Sequence, residues 1–172
     1  AYLRLIVNPS DDLSLRRILN FPPRGIGTAT FDYIEQFAKT HHLSLYDCIA
    51  RLTRQTNETL TVKSQTALRL FYELIEKYRS LSNDLNLSEW LGALLEETGI
   101  VRYYKKSGTA DDEERYENIA ELMTAIHEFS EQNTFEKPGA ALEAFLNDVS
   151  LMTDIDQWDD RQNVVTLMTL HS

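Results

Sequence analysis

Six consecutive residues, Pro22-Pro23-Arg24-Gly25-Ile26-Gly27, constrain this chain more than any other stretch. The prolines end whatever helix precedes them, because the ring removes an amide donor and disfavours helical backbone one residue earlier. The glycines open backbone conformations closed to other residues. Apolar residues recur at helical spacing on both sides. Leu15, Ile18 and Leu19 come before, with Asp11, Asp12 and Ser14 as cap candidates for a helix through Asn20. Phe31, Ile34, Phe37 and Ala38 come after, with Thr28 or Thr30 as the cap. The spacing therefore predicts helix, tight turn, helix, with Arg16 and Arg17 left to solvent.

The same period continues along the chain. Leu45, Ile49 and Leu52 predict a helix from Ser44 to about Gln55; Leu68, Phe71, Tyr72, Ile75 and Tyr78 predict a longer one from Leu60 to about Ser82. Leu70, Leu74 and Leu81 add a second apolar side to that longer helix, as expected of a central one. Ser88 opens a further helix with Leu91, Leu94 and Leu95 inward and Gly99 at its C-terminal cap. Residues 100–112 read as an exposed loop. Ile119, Leu122, Met123, Ile126 and Phe129 mark the next helix, and Leu142, Phe145, Leu146 and Val149 the last, with Pro138 near its start. Only Asn163 to Ser172 has strand character, after an acidic linker over 153–162 carrying Asp154, Asp156, Asp159 and Asp160. The expected fold class is all-α: an irregular helical bundle containing a helix-hairpin-helix element, with one short C-terminal β-strand.

A chain of 172 residues with 42% apolar content suffices for one core and one domain. No run approaches the roughly 18 apolar residues of a membrane span, and no signal sequence opens the chain, so a soluble, cytoplasmic protein is expected. The apolar run from Ala1 to Val7 and the strand-like end both suggest excision from something larger. The single cysteine, Cys48, falls between Leu45 and Ile49 and reads as core. A net charge of −10 excludes a protein that coats nucleic acid by bulk electrostatics, so any DNA contact must be local.

A glycine turn entering a helix is suited to such a contact. Missing side chains let a phosphate approach, and the first turn of the next helix presents unpaired N–H groups and a positive dipole end. Gly25, Ile26, Gly27 and Thr28 would supply that backbone, Ile26 would plug the turn into the core, and Arg24, Arg16 and Arg17 would add charge-assisted bonds. The same glycines also fit a plain tight turn. A base-excising glycosylase built on this element needs a catalytic aspartate downstream of a Gly-Pro-Asp-like segment, which is missing after Ile34. Arg102, Tyr103, Tyr104, Lys105 and Lys106 form a basic and aromatic patch that suits either a phosphate backbone or an ordinary surface loop. The acidic run lacks the glycine and final glutamate of a calcium loop, and His41, His42, His127 and His171 follow no ligand spacing, so no metal is assigned.

Three segments together resemble the UvrD/PcrA/Rep-like family of superfamily 1 DNA helicases, over essentially the whole chain. The first runs from Ala1-Tyr2-Leu3-Arg4 through Asn8-Pro9 to Pro22-Pro23-Arg24-Gly25-Ile26-Gly27. The second is Thr98-Gly99-Ile100, a variable loop, and Arg115-Tyr116-Glu117-Asn118. The third, Val165-Thr166-Leu167-Met168-Thr169-Leu170-His171-Ser172, is similar to the opening of helicase motif V. The resemblance implies that residues 1–10 are a tail of the 2A connection, 11–152 a 2B-like helical domain with its helix-hairpin-helix at about 13–40, and 163–172 the truncated motif V strand. It implies a duplex-contacting, regulatory role in a 3′ to 5′ helicase acting in repair or replication, with Thr169 and His171 working only in the intact motor. The implied partners are duplex DNA at a single-strand/double-strand junction, the motor domains 1A, 1B and 2A, and repair proteins. Because the chain carries no Gly-x-x-x-x-Gly-Lys-Thr loop, ATP and Mg2+ are expected for the parent and no cofactor for this segment. A protein-interaction or autoinhibitory module without DNA contact is the alternative.

Overall fold

A computed structural model describes residues 1–55, 58–81, 86–133, 135 and 138–151. Among these residues the secondary structure is entirely helical. The order is α1 Tyr2–Val7, α2 Asp12–Ile18, α3 Thr28–His41, α4 Leu45–Arg54, α5 Val62–Leu81, α6 Leu87–Thr98, α7 Ile100–Ser107, α8 Ala110–Gln132 and α9 Pro138–Leu151. The expected strand over 163–172 and the acidic linker before it lie outside the described residues.

Short polar side chains start most of these helices by satisfying amides that have no partner inside the helix. Asp11 accepts from the Ser14 N–H at 2.9 Å, Ser44 from Asp47 at 3.0 Å, Asn86 from Glu89 at 2.9 Å and Thr109 from Asp112 at 3.3 Å. Asn86 thus begins α6 slightly before the serine expected to do so. Apolar stripes then close on one core. Leu5 of α1, Leu15 of α2, Ile34 of α3, Ile49 of α4, Phe71 and Ile75 of α5, and Trp90 and Leu94 of α6 are all buried. Trp90 satisfies its indole N–H on the Tyr78 carbonyl at 3.0 Å and meets the Tyr78 ring edge-on. Residues 1–10, expected as a tail of a neighbouring domain, contribute Tyr2, Leu3, Leu5 and Ile6 to the same core.

Two expectations are corrected. Residues 100–112 are not a loop: they form α7 and the start of α8. Gly99, at φ 74°, closes α6, and its carbonyl immediately accepts the Tyr103 N–H at 2.9 Å, so one glycine both ends a helix and begins the next. Tyr103 and Tyr104 pack on Phe21, with ring centroids 5.1 and 5.7 Å away, which anchors α7 to the α2–α3 turn. Second, of the other apolar side expected for α5, Leu74 is half-buried against the core but Leu70 is not covered. Leu70 is 57% exposed, at the edge of a groove along the helix. The principal stripe through Leu68, Phe71 and Ile75 does face the core.

Candidate nucleic-acid interface

The connection between α2 and α3 is built from the inside outward. The Asn20 side chain carbonyl accepts two backbone amides, Arg24 N–H at 2.8 Å and Ile26 N–H at 3.1 Å, which folds the intervening residues into one compact turn. Ile26 points into the core at 3% exposure, so the segment is nailed down at its middle. Gly25 takes φ +79°, a region where a side chain would be strained.

Arg24 has partners other than the phosphate expected for it. Its Nη1 donates to the carbonyls of Ile18 at 2.9 Å, Phe21 at 2.8 Å and Pro22 at 3.2 Å, while Nη2 donates to the Tyr2 hydroxyl. The Tyr2 hydroxyl in turn donates to the Phe21 carbonyl at 2.6 Å. The guanidinium therefore caps the C-terminal end of α2, where a cation is favoured by carbonyls that lack helical partners. It also lies 5.5 Å from the Phe71 ring centroid, so it ties the turn to α5. Burial raises the Tyr2 phenol above its usual pKa despite the opposing charge of Arg24, which keeps it a neutral donor.

Gly27 is the N-cap of α3 in place of the threonines expected there. Its carbonyl accepts the Thr30 and Phe31 amides, both at 3.1 Å, whereas the Gly27, Thr28 and Ala29 N–H groups have no partner among the described residues. A methyl group placed on Gly27 would meet nothing within 4 Å. Thr28 is exposed, so these amides open onto solvent at the positive end of a helix running from Thr28 to His41.

The first turn of α3 is locked to the first turn of α5. Thr30, buried, shares a hydroxyl hydrogen bond with buried Ser64 at 3.0 Å. Thr61 donates its hydroxyl to Ser64 at 3.0 Å and accepts the Ser64 N–H at 3.1 Å. This bond brings Lys63 to the hairpin, with its Cε 3.2 Å from where a Gly25 side chain would begin. Nothing near Lys63 in the sequence marks it, because the neighbourhood arises only where Thr30 of α3 meets Ser64 of α5.

Arg16 is paired with Glu35 of α3, and its guanidinium lies 5.4 Å from the Phe31 ring centroid. Arg17 is exposed on α2 and lines a different hollow with Arg4, Tyr104 and Arg115. The structure thus gathers Gly25, Gly27 and Thr28 at one surface, with Ile26 buried beneath them, Arg24 behind and Arg16 and Arg17 on the preceding helix. Arg115 to Asn118 lie within α8, and Lys105 sits over the Tyr116 ring at 4.8 Å. No group of three histidine, cysteine or acidic side chains suited to a metal occurs among the described residues. Cys48 is buried, donates to the Ile34 carbonyl at 3.4 Å, and has its thiol pushed up to about 11 by burial. No described helix is long and apolar enough to cross a membrane. Thr169 and His171 lie outside the described residues.

Comparison with known proteins places the whole chain in one family. The profile of the UvrD-like helicase C-terminal domain matches residues 1–172. The ATP-dependent DNA helicase PcrA of Staphylococcus aureus is 33% identical over 178 aligned residues, covering 100% of this chain. The ATP-dependent DNA helicase PcrA of Staphylococcus epidermidis matches at the same 33% identity and coverage. The chain spans 23% of the length of each of these relatives. A family match along every residue, together with identity at this level to helicases from two species, shows that the chain belongs to the UvrD-like helicase C-terminal domain family.

Proposed function

We propose that this chain is the 2B-like accessory domain of an ATP-dependent 3′ to 5′ DNA helicase, and that its α2–α3 element is a helix-hairpin-helix gripping duplex DNA beside a single-strand junction. The observation that carries this reading is the open start of α3: unpaired amides at Gly27, Thr28 and Ala29, no side chain at Gly27, and a turn held rigid by Asn20, Arg24 and Ile26. Amides fixed in advance bind a phosphate without the entropic cost of their own ordering. Such contacts position a duplex and carry no sequence information.

Gly25, Gly27 and Thr28 form the contact surface in this reading, Ile26 anchors it from the core, and Arg16 and Arg17 extend it along α2. Arg24 shapes the turn from behind. ATP and Mg2+ are bound by the motor domains 1A and 2A, to which this chain contributes Thr169 and His171 of motif V and no phosphate-cradling loop. The parent is cytoplasmic and acts in repair or replication. An interaction or autoinhibitory module is favoured by one observation, the net charge of −10, which disfavours broad contact with DNA.

Gly27→Val separates the two. The position has φ −84° and open space around it, so the fold survives while the added side chain stands over the amides. A fluorescent duplex with a 3′ tail, titrated at low salt, is expected to bind the wild type with a log K versus log salt slope of roughly −2 to −4. The valine variant, with unchanged circular dichroism, is expected to lose at least about tenfold in affinity, or about 1.4 kcal/mol. Equal binding by a folded variant would make the turn structural and leave the interaction module as the better reading.

A further inference from the structure

We infer that Lys63, reaching from the first turn of α5 across Gly25, supplies the cationic half of the hairpin's phosphate site. This rests on the reading of the hairpin as a duplex contact and adds a residue to it that lies on a different helix.

The geometry starts with the missing side chain of Gly25. A Cβ there would stand 3.2 Å from the Lys63 Cε and 3.7 Å from its Nζ, closer to Cε than an unstrained carbon contact. The lysine stem thus occupies the space that the glycine leaves empty. Gly25 is favoured by its φ of +79°, and its missing side chain also leaves Lys63 room to lie across it. The lysine's origin is fixed as well. Its neighbour Ser64 is buried and bonded to Thr30 in the first turn of α3, which ties the base of the lysine to the helix whose first amides are free.

Of the other cations near the hairpin, Arg24 and Arg16 already have partners and Arg17 borders a different hollow. Arg24 donates to the carbonyls of Ile18, Phe21 and Pro22 and to Tyr2. Arg16 is paired with Glu35. Arg17 lines the hollow beside Arg4 and Arg115. Lys63 is exposed and takes part in no ion pair among the described residues. Of the carboxylates along the same groove, Glu97 is engaged by Lys77 and by the Tyr78 hydroxyl, and Glu73 stands farther along α5. In a chain with 27 acidic residues against 17 basic ones, a free ammonium beside the unpaired Gly27, Thr28 and Ala29 amides is a place where an anion gains most. A lysine acts there as a point charge on a flexible stem, suited to a backbone phosphate whose orientation the amides already define.

The test uses the intact protein that carries this chain and blunt duplexes of two unrelated sequences, with anisotropy titrations over a series of KCl concentrations. Lys63→Ala is expected to weaken both duplexes by the same factor and to make the log K versus log salt slope shallower by about 0.9, the share of one phosphate on B-form DNA. Lys63→Arg is expected to keep the slope. Acetylation of Lys63 by a water-soluble active ester is expected to slow when duplex is present. Gly27→Val, run in parallel, reports on the hairpin itself. If Gly27→Val loses binding while Lys63→Ala keeps the wild-type slope, Lys63 touches no phosphate and the hairpin reading stands without it. If Gly27→Val changes nothing, the hairpin reading falls and this inference falls with it.

Discussion

The α2–α3 turn and the α7–α8 arm meet where Tyr103 and Tyr104 pack on Phe21, yet they are stabilised in opposite ways. In the turn, the polar groups point inward. Asn20 and Arg24 close the backbone on itself, Ile26 is buried, and Thr30 is bonded to Ser64. In the arm, α7 has no buried residue and α8, the longest helix described, has only Ile126. Arg102, Lys105 and Lys106 are exposed there. Charge in the turn is structural and leaves bare backbone at the surface; charge in the arm is solvated and leaves the backbone bonded inside helices. A surface that binds through main-chain amides needs the first arrangement, because loosely held amides would have to be ordered at the moment of binding.

The largest test of that contrast replaces one arginine in each region. Arg24→Met removes the donors for three carbonyls and the Tyr2 hydroxyl, and hydrogen bonds to a charged group are worth enough that a loss of about 2–4 kcal/mol is expected. Arg102→Met, on the exposed side of α7, is expected to stay within about 0.5 kcal/mol of wild type. Urea unfolding followed by far-ultraviolet circular dichroism gives both numbers. Comparable losses at the two sites would mean that the arm is braced by its charges just as the turn is.

A smaller effect distinguishes the glycines. Gly25 and Gly108 both have positive φ, +79° and +66°, so alanine at either is expected to cost about 1–2 kcal/mol from backbone strain. Gly25→Ala also displaces the Lys63 side chain, which is exposed and free to move, so its loss should equal or only slightly exceed that of Gly108→Ala, which has open space around it. Gly27→Ala, at φ −84° with nothing nearby, is expected to be close to neutral. Thermal unfolding of the three variants ranks them, and a Gly27→Ala loss as large as that of Gly25→Ala would show that the start of α3 is more crowded than its geometry indicates.

Much of this architecture is legible from sequence and some is not, for physical reasons. Helical periodicity locates α2 through α6, α8 and α9, because each buries one stripe and period is what a stripe writes into a sequence. Cys48 is readable as core for the same reason, and Ile26 as the apolar residue between two glycines that plugs the turn. An arginine beside two glycines looks available to a phosphate; only folding shows that the carbonyls at the end of α2 converge on Arg24. The α7 helix escapes a reading by pattern because its charged residues suggest solvent, and because Gly99, recognisable as the cap of α6, also starts α7. Lys63 is invisible in the sequence, since its role depends on a hydroxyl bond between Thr30 and Ser64, two residues with no apolar pattern to advertise them.

The smallest expected effect concerns pH at the two helix starts. Hydrogen bonds from Ser14 hold the Asp11 carboxyl below the ordinary aspartate range, and those from Ser107 and Thr109 do the same for Asp112. A carboxyl whose folded pKa is depressed adds stability that is fully present above its unfolded value, about 4, and is lost as pH falls through the folded value. Both caps should therefore weaken in the window below about pH 4. Asn caps a helix about as well as Asp but does not titrate, so Asp11→Asn is expected to match wild type at pH 7 and to lose less stability between pH 4 and pH 2. The turn depends on the α2 start for its register, through Asn20 and Arg24 on the same short helix and its exit, whereas the α8 start lies at the exposed end of a long helix. The acid-induced opening of amides in residues 12–31, followed by hydrogen exchange, should accordingly respond to Asp11→Asn, and Asp112→Asn should alter exchange only within the first turn of α8. An equal spread of the effect from both sites would erase the distinction between a braced turn and a free arm.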